Sequence, residues 1–291
     1  MSWGSWDDVT WNLLARRVRQ GNCTPFLGAG AVVPALPLGA AVARRWAQDY
    51  GYPLDDADDL ARVAQYLSIH HDDAMWPKEQ IADELKALEL PDVETPPEVH
   101  AVLARLPLSI YITTNYDHSM FEALRAAGKD PQREVCRWNS SEAIESVPSP
   151  FAAATYAPTP ANPLVYHLHG HVDLPESIVL TEDDYLDFLV TVTRDPELLP
   201  HQVKRALSGN SLVFIGYQLA DWDFRVIHRG LVNSTAPSLR RLSATVQLPD
   251  PAAACDYLAR YYDGFKAKVY WGTAADFAKD LDAHVHAYAG A

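Results

Sequence analysis

Cys23-Thr24-Pro25-Phe26-Leu27-Gly28-Ala29-Gly30-Ala31 is the stretch on which the reading of this chain turns. A short run of apolar character ends in a glycine-rich turn, and helical spacing follows from Leu38 to Tyr50; the sequence therefore reads as strand, tight turn and helix. Upstream, Asp7 and Asp8 precede Trp11, Leu14, Ala15 and Val18, the pattern of an amphipathic helix opened by a carboxylate cap. Gly21-Asn22 ends it.

The same unit recurs downstream. Strands are expected at Leu108–Ile112, Leu164–Leu168, Ser211–Gly216, Leu242–Leu248 and Lys266–Tyr270. Helical patterns lie between them, at Ser119–Ala127, over roughly 182–208, and from Asp221, Ala252 and Ala274. Alternation of this kind predicts an α/β fold with a doubly wound parallel sheet and helices on both faces. Two interruptions are expected: a helical insertion at about 53–100, with Thr95-Pro96-Pro97 near its end, and a loop at about 146–163 carrying Pro148, Pro150, Pro158, Pro160 and Pro163. In such sheets a ligand sits beyond the carboxyl ends of the strands, so the residues just after each strand are the ones to inspect.

Bulk properties narrow the function. A formal charge of -14 over 291 residues disfavours a phosphate-backbone binder, which gains affinity from clustered Lys and Arg. No nucleic acid is expected as a direct partner, and the pairs Arg44-Arg45 and Arg240-Arg241 read as solvated charge. Cys23, Cys136 and Cys255 are too far apart in sequence to announce a disulfide framework or a paired-cysteine zinc site. The amino-terminal residues lack a basic start and an apolar run, and no stretch is apolar for long enough to span a membrane. A cytoplasmic protein with no membrane partner is expected.

Four strand ends carry candidate chemistry. Gly28 and Gly30 allow close backbone approach to a ligand, or simply make a tight βα turn. Position 33 is Val, so the G-x-G-x-x-G fingerprint of ordinary dehydrogenases is not met. Asn115 and Asp117 are polar residues at a strand end, or caps of the next helix. His167, His169 and His171 alternate, and would share one side if the strand continued. Asp173 is the sole carboxylate near them, and no metal site is expected. Gly216-Tyr217-Gln218-Leu219-Ala220-Asp221 bends into a helix that Asp221 would cap.

Taken in order, FLGAG (Phe26–Gly30), TTNYD (Thr113–Asp117), HLHG (His167–Gly170) and FIGYQLAD (Phe214–Asp221) resemble bacterial sirtuin-like domains, including those of anti-phage defence. The resemblance runs from about Leu14 to Leu231. It implies one sirtuin-like, Rossmann-like catalytic domain over 1–291 that binds NAD+ as substrate. It places Gly28, Ala29 and Gly30 on the phosphates and Asn115 and Asp117 at the nicotinamide and ribose. His169 becomes the general base, and Gly216 and Tyr217 lie near the adenosine side. Thr114 and Asp221 join the cofactor-binding positions. The chain departs from sirtuin deacylases in lacking their two close cysteine pairs, and it has Val32 and Gln218 where the family often has serine. Asp221 to Arg225 fits a sirtuin-like D-x-D-F-R pattern.

The implied reaction breaks the nicotinamide–ribose bond. A histidine can take a proton near neutral pH and an asparagine amide can orient water, so Asn115 and His169 are the expected catalytic pair and water the expected nucleophile. Other readings are an NAD-dependent protein deacylase or ADP-ribosyl transferase, and a sensor of NAD or ADP-ribose without turnover. Eight Trp and fourteen Tyr, with Trp3, Trp6 and Trp11 crowded together, suit either a core or an interface. Since draining NAD harms the host cell, control is expected, either by a homo-oligomer or by a separate partner, for which the family resemblance implies an ATPase or Argonaute-like protein.

Overall fold

The computed structural model describes residues 6–32, 39–88, 98–153, 155–195, 197–217, 241–248, 252–263 and 266–288. Seven strands form one parallel sheet: β1 (Cys23–Leu27), β2 (Ile110–Thr113), β3 (Gln132–Val135), β4 (Leu164–His167), β5 (Ser211–Ile215), β6 (Ser243–Gln247) and β7 (Ala267–Trp271). Their order is β3-β4-β2-β1-β5-β6-β7. Setting aside the edge strand β3, the rest read third, second, first, fourth, fifth, sixth in chain order, which is the dinucleotide-binding arrangement. The fold is therefore α/β and Rossmann-like. The order reverses between β1 and β5, which pair over their full length from Cys23↔Ser211 to Leu27↔Ile215.

Helices cover both faces. On one side lie α1 (Asp8–Arg19), α5 (Glu98–Arg105), α6 (Ser119–Ala126) and, near the carboxyl end, α11 (Ala274–Ala287). They pack on Leu27, Tyr111, Val165, Val213 and Ile215. On the other side α8 (Glu182–Arg194), α9 (His201–Gly209) and α10 (Ala252–Asp263) pack on Phe26, Ile112, Tyr166, Leu212 and Phe214. Alternate residues of each strand thus feed opposite cores, the period of two that an extended strand dictates. Helix starts are chemically marked: Asp7 accepts from Thr10 N, and Thr181 with Asp184 and Thr273 with Asp276 form capping boxes. A five-residue helix, α7 (Glu142–Ser146), lies beyond β3.

The expected insertion divides in two. Gly39–Tyr50 (α2), Leu60–His70 (α3) and Trp76–Ala87 (α4) bury Trp46, Leu67 and Ile81 against Val172, Ile178 and Leu180 of the segment after β4. The last residues of the expected insertion, from Glu98 to about residue 100, instead open α5 (Glu98–Arg105) in the main core. Arg44 and Arg45 pair with Asp58 and Glu84, as solvated charges do. Trp11 is a core residue and the partly buried Trp6 packs against it; both meet Tyr270 and Phe277, and the Trp6 indole donates to Val269 O. Trp3 lies outside the described residues. Among those residues no helix is long and apolar enough to cross a membrane.

Candidate functional site

The loops after β1 and β5 meet at the switch point through glycine. Gly216 has φ +85°, and a methyl there would lie 2.3 Å from Ala31 N and 2.6 Å from Gly28 O. A methyl on Gly30 would lie 2.9 Å from the Gly216 Cα, and one on Gly28 2.9 Å from Gly216 O and the Tyr217 ring. Gly28 N donates to Ile215 O (2.9 Å), Gly30 N to Gly216 O (3.0 Å) and Ala31 N to Gly28 O (2.9 Å). The glycines therefore lock two loops together, and most of the turn's N–H groups are engaged inside the protein. Ala29, in a 3₁₀ turn over Ala29–Ala31, has the N–H without a backbone acceptor among the described residues.

The loop after β2 closes onto the same place. Thr114 N donates to Leu27 O (2.9 Å), and the Thr114 hydroxyl lies 2.8 Å from the Tyr217 hydroxyl, which donates to Leu27 O (2.9 Å). The Asn115 side-chain amide donates to Gly28 O (3.1 Å). Gly28, Gly216, Tyr217, Thr114 and Asn115, distant in sequence, thus form one contiguous floor. Asp117 behaves differently. It is buried, and its Oδ1 accepts from Ser119 N (2.7 Å), the first residue of α6, while the cap position itself falls on His118. Asp221, with Gln218, Asp223 and Arg225, lies outside the described residues.

His169 sits on the loop after β4, buried, with Phe188 and Tyr185 edge-on at 5.0 and 5.5 Å. Burial alone pushes its pKa down to about 3, so the free ring is neutral and in its proton-accepting form. The alternation of three histidines does not survive. Strand β4 stops at His167, and Gly170 turns the chain at φ +90°, where a methyl would strike Ser177 O at 2.3 Å. His169 therefore faces α8, while His167 and His171 stay together with ring centroids 4.6 Å apart.

Sequence reasoning missed what surrounds that second pair. His118 lies 4.5 Å from the His171 ring. Ligand atoms of His118, His171 and Asp173 fall within 4.8 Å of one another. Arg133, on β3, is their neighbour: it donates to Asp173 Oδ2 (3.1 Å) and lies 2.9 Å from His118 Nδ1. A guanidinium is thus the cation facing this carboxylate. The periodicity of β4 holds no trace of His118 or Arg133, which arrive from the cap position of α6 and the sheet edge. Tyr185 and Phe188 were legible only as an amphipathic helix face.

Residues 109–263, more than half of the chain, match the SIR2-like domain. The chain belongs to the SIR2-like domain family. The SIR2-like chain is 26% identical over 217 residues to the NAD(+) hydrolase ThsA of Acinetobacter baumannii, covering 72% of this chain and 39% of that protein. It is 27% identical over 213 residues to ThsA of Bacillus cereus, covering 71% and 39%, so it spans about two fifths of the length of these relatives. A solved Sir2 enzyme covers 96% of this SIR2-like chain and 98% of its own at 10% identity, with a TM-score of 0.44; the strand order, not that superposition, carries the fold.

Proposed function

We propose that this SIR2-like domain cleaves the nicotinamide–ribose bond of NAD+ with water, giving nicotinamide and ADP-ribose. The observation that carries the proposal is the floor at the β1/β5 switch point, where Asn115 hangs from Gly28 beside the loops that a dinucleotide occupies in this strand order. The relatives named NAD(+) hydrolase support the same substrate.

In this reading the diphosphate lies over the turn at Gly28, Ala29 and Gly30, near the Ala29 N–H and the start of the following segment. Tyr217 and Gly216 wall the site, Thr114 fixes Tyr217, and Asp117 holds the loop that carries Asn115. Asp221 would contribute from the segment after Tyr217. As the C–N bond breaks, its electron pair goes to the nicotinamide nitrogen and positive charge grows on the ribose. The water oxygen bonds to the anomeric carbon, oriented by Asn115 Oδ1, and its proton passes to His169. A base with pKa of about 3 is weak in the free protein. A diphosphate and its field nearby would raise that value, because a neighbouring negative charge favours the imidazolium. Cys23, Cys136 and Cys255 are each buried and none is in a disulfide, and three cysteines so far apart in sequence do not make the two close cysteine pairs that support acyl-peptide recognition, which favours water over an acyl substrate. No step uses a metal.

The extension is an anti-phage effector that depletes NAD in the cytoplasm, restrained until it self-associates or meets a partner protein. The test is direct: incubate the protein with NAD+ and resolve nicotinamide, ADP-ribose and cyclic products by chromatography. Nicotinamide and ADP-ribose in equal amounts are expected, and loss of a positioned catalytic group typically removes about 10² to 10⁴ in rate. Folded Asn115→Ala or His169→Ala retaining full turnover would remove that residue from the mechanism.

A further inference from the structure

His167 is buried and its Nδ1 lies 3.1 Å from the main-chain oxygen of Asn115. A carbonyl only accepts, so Nδ1 carries the proton and Nε2 is a bare lone pair. That Nε2 is buried with no partner. The neighbouring ring has the opposite order. His171 Nδ1 accepts from Asp173 N (3.1 Å), so its Nε2 carries the proton, and it too is buried and unpartnered. The third ring is set by Arg133, whose guanidinium donates to His118 Nδ1 (2.9 Å) and leaves the His118 Nε2–H facing Asp173 Oδ1 at 3.6 Å.

Three neutral imidazoles, edge to face, are thus locked in fixed tautomers from the Arg133–Asp173 pair at the surface to the peptide of Asn115. Nothing in the NAD-cleavage scheme uses them. Two of their ring nitrogens, His167 Nε2 and His171 Nε2, are buried without a hydrogen-bond partner among the described residues, which opposes folding rather than aiding it. What the chain ends on is the residue whose side chain bonds Gly28 O.

We infer that His167 is a positioning residue: its Nδ1–H bond to the Asn115 carbonyl, buttressed by His171 and His118, fixes the peptide so that the Asn115 amide points at the Gly28 turn. This rests on Asn115 acting on NAD. Burial supports the assignment by holding the His167 ring neutral, with its pKa near 4. Misplacing a catalytic group by about 1 Å typically costs on the order of 10²-fold in rate.

Two arms test it. The first needs no turnover: ¹⁵N–¹H correlation spectra of the folded protein should show His167 as the Nδ1–H tautomer and His171 as the Nε2–H tautomer. The reverse tautomer on His167, or one equivalent of bound zinc by elemental analysis, would overturn the inference. The second compares His167→Asn, whose amide nitrogen stands where Nδ1 stood, with His167→Leu, which fills space without a donor. Expected is a fall in kcat of at least tenfold for Leu with KM for NAD+ within twofold, and recovery by Asn to within threefold of wild type. A folded Leu variant with wild-type kcat, an Asn variant as impaired as Leu, or a loss confined to KM would each overturn it. If Leu does not fold, Asn decides alone: a folded Asn variant with kcat down tenfold or more sinks the idea. A wild-type protein inert toward NAD+ would refute the proposed function and leave the tautomer arm standing as the test of the network.

Discussion

Gly216 shows most sharply what a single residue settles. Its left-handed backbone and the 2.3 Å approach to Ala31 N leave no room for a side chain, so Gly216→Ala meets both a conformational and a steric penalty. Together these amount to about 2–5 kcal/mol, and a urea titration should show a matching drop in midpoint with NAD+ binding lost. An alanine variant as stable as wild type would mean the two loops are not in contact as described. Tyr217→Phe is milder: it removes the bonds to Leu27 O and Thr114 and should cost about 1 kcal/mol, the size of an ordinary hydrogen bond. The sequence flagged Gly28, Gly30 and Gly216 as strand-end glycines, yet their mutual contact was invisible, because spacing along the chain says nothing about which loops meet. Asn115 was legible as polar and well placed; its bond to Gly28 was not.

At the level of elements, the small helical layer packs on the segment after β4, and among the described residues one buried ion pair adds to that contact. Lys78 on α4 donates to Asp184 Oδ1 on α8 (2.6 Å), both largely buried, while Asp184 Oδ2 accepts from Leu180 N and Thr181 N. Removing one partner of a buried pair strands the other, typically at about 3–5 kcal/mol. Lys78→Met should therefore destabilise by that amount, read from chemical denaturation. Restoration by a second change, Asp184→Asn, would confirm that the stranded carboxylate is the cause, and an unchanged midpoint for Lys78→Met would show that the pair contributes nothing. Most elements were legible, to within two residues, from apolar runs and glycine punctuation. Strand β3 was not: Gln132-Arg133-Glu134-Val135 is polar because it lies at the sheet edge, and an edge strand need bury only part of itself. Helix α5 was hidden by its proximity to a proline cluster and an acidic stretch, although it buries Val99, Val102 and Leu103.

The whole molecule should be acid-sensitive for a specific reason. His100 and His167 are pushed down to about 4 and His169 to about 3, in each case chiefly by burial, from an ordinary 6.5. In the unfolded chain these rings bind protons below about 6.5, whereas in the native state they do not. The stability they contribute is thus complete above that pH and is lost as pH falls toward their folded values. The limiting slope is about 1.4 kcal/mol per pH unit for each ring, and because the unfolded rings are already half protonated at pH 6.5, lowering pH from 6.5 to 5.5 should remove about 1 kcal/mol per ring, about 3 kcal/mol in all. Asp7, Asp56, Asp263 and Asp276 have lowered values and act only below the window. Approach to the isoelectric point near 5.1 relieves self-repulsion in the opposite sense, weakly at physiological salt. Denaturation midpoints that do not move between pH 6.5 and 5.5 would contradict the assignment of neutral buried rings. Light scattering alongside NAD turnover across a concentration series tests the expected control by assembly: specific activity should rise with association, and a monomer with high, concentration-independent activity would refute it.

The pairing of β1 with β5 also sets a clock on synthesis. Leu27 receives the Tyr217 hydroxyl across 190 residues of chain, so the central strand emerges from the ribosome long before its neighbour exists. At about 5–20 residues per second, that wait is on the order of ten seconds or more, during which Cys23–Leu27 presents an apolar, half-paired edge. Contacts of such long range close slowly. A nascent chain halted before Ser211 should accordingly be captured by holdase chaperones and cleaved readily near β1, whereas one extended through β5 should abruptly become resistant.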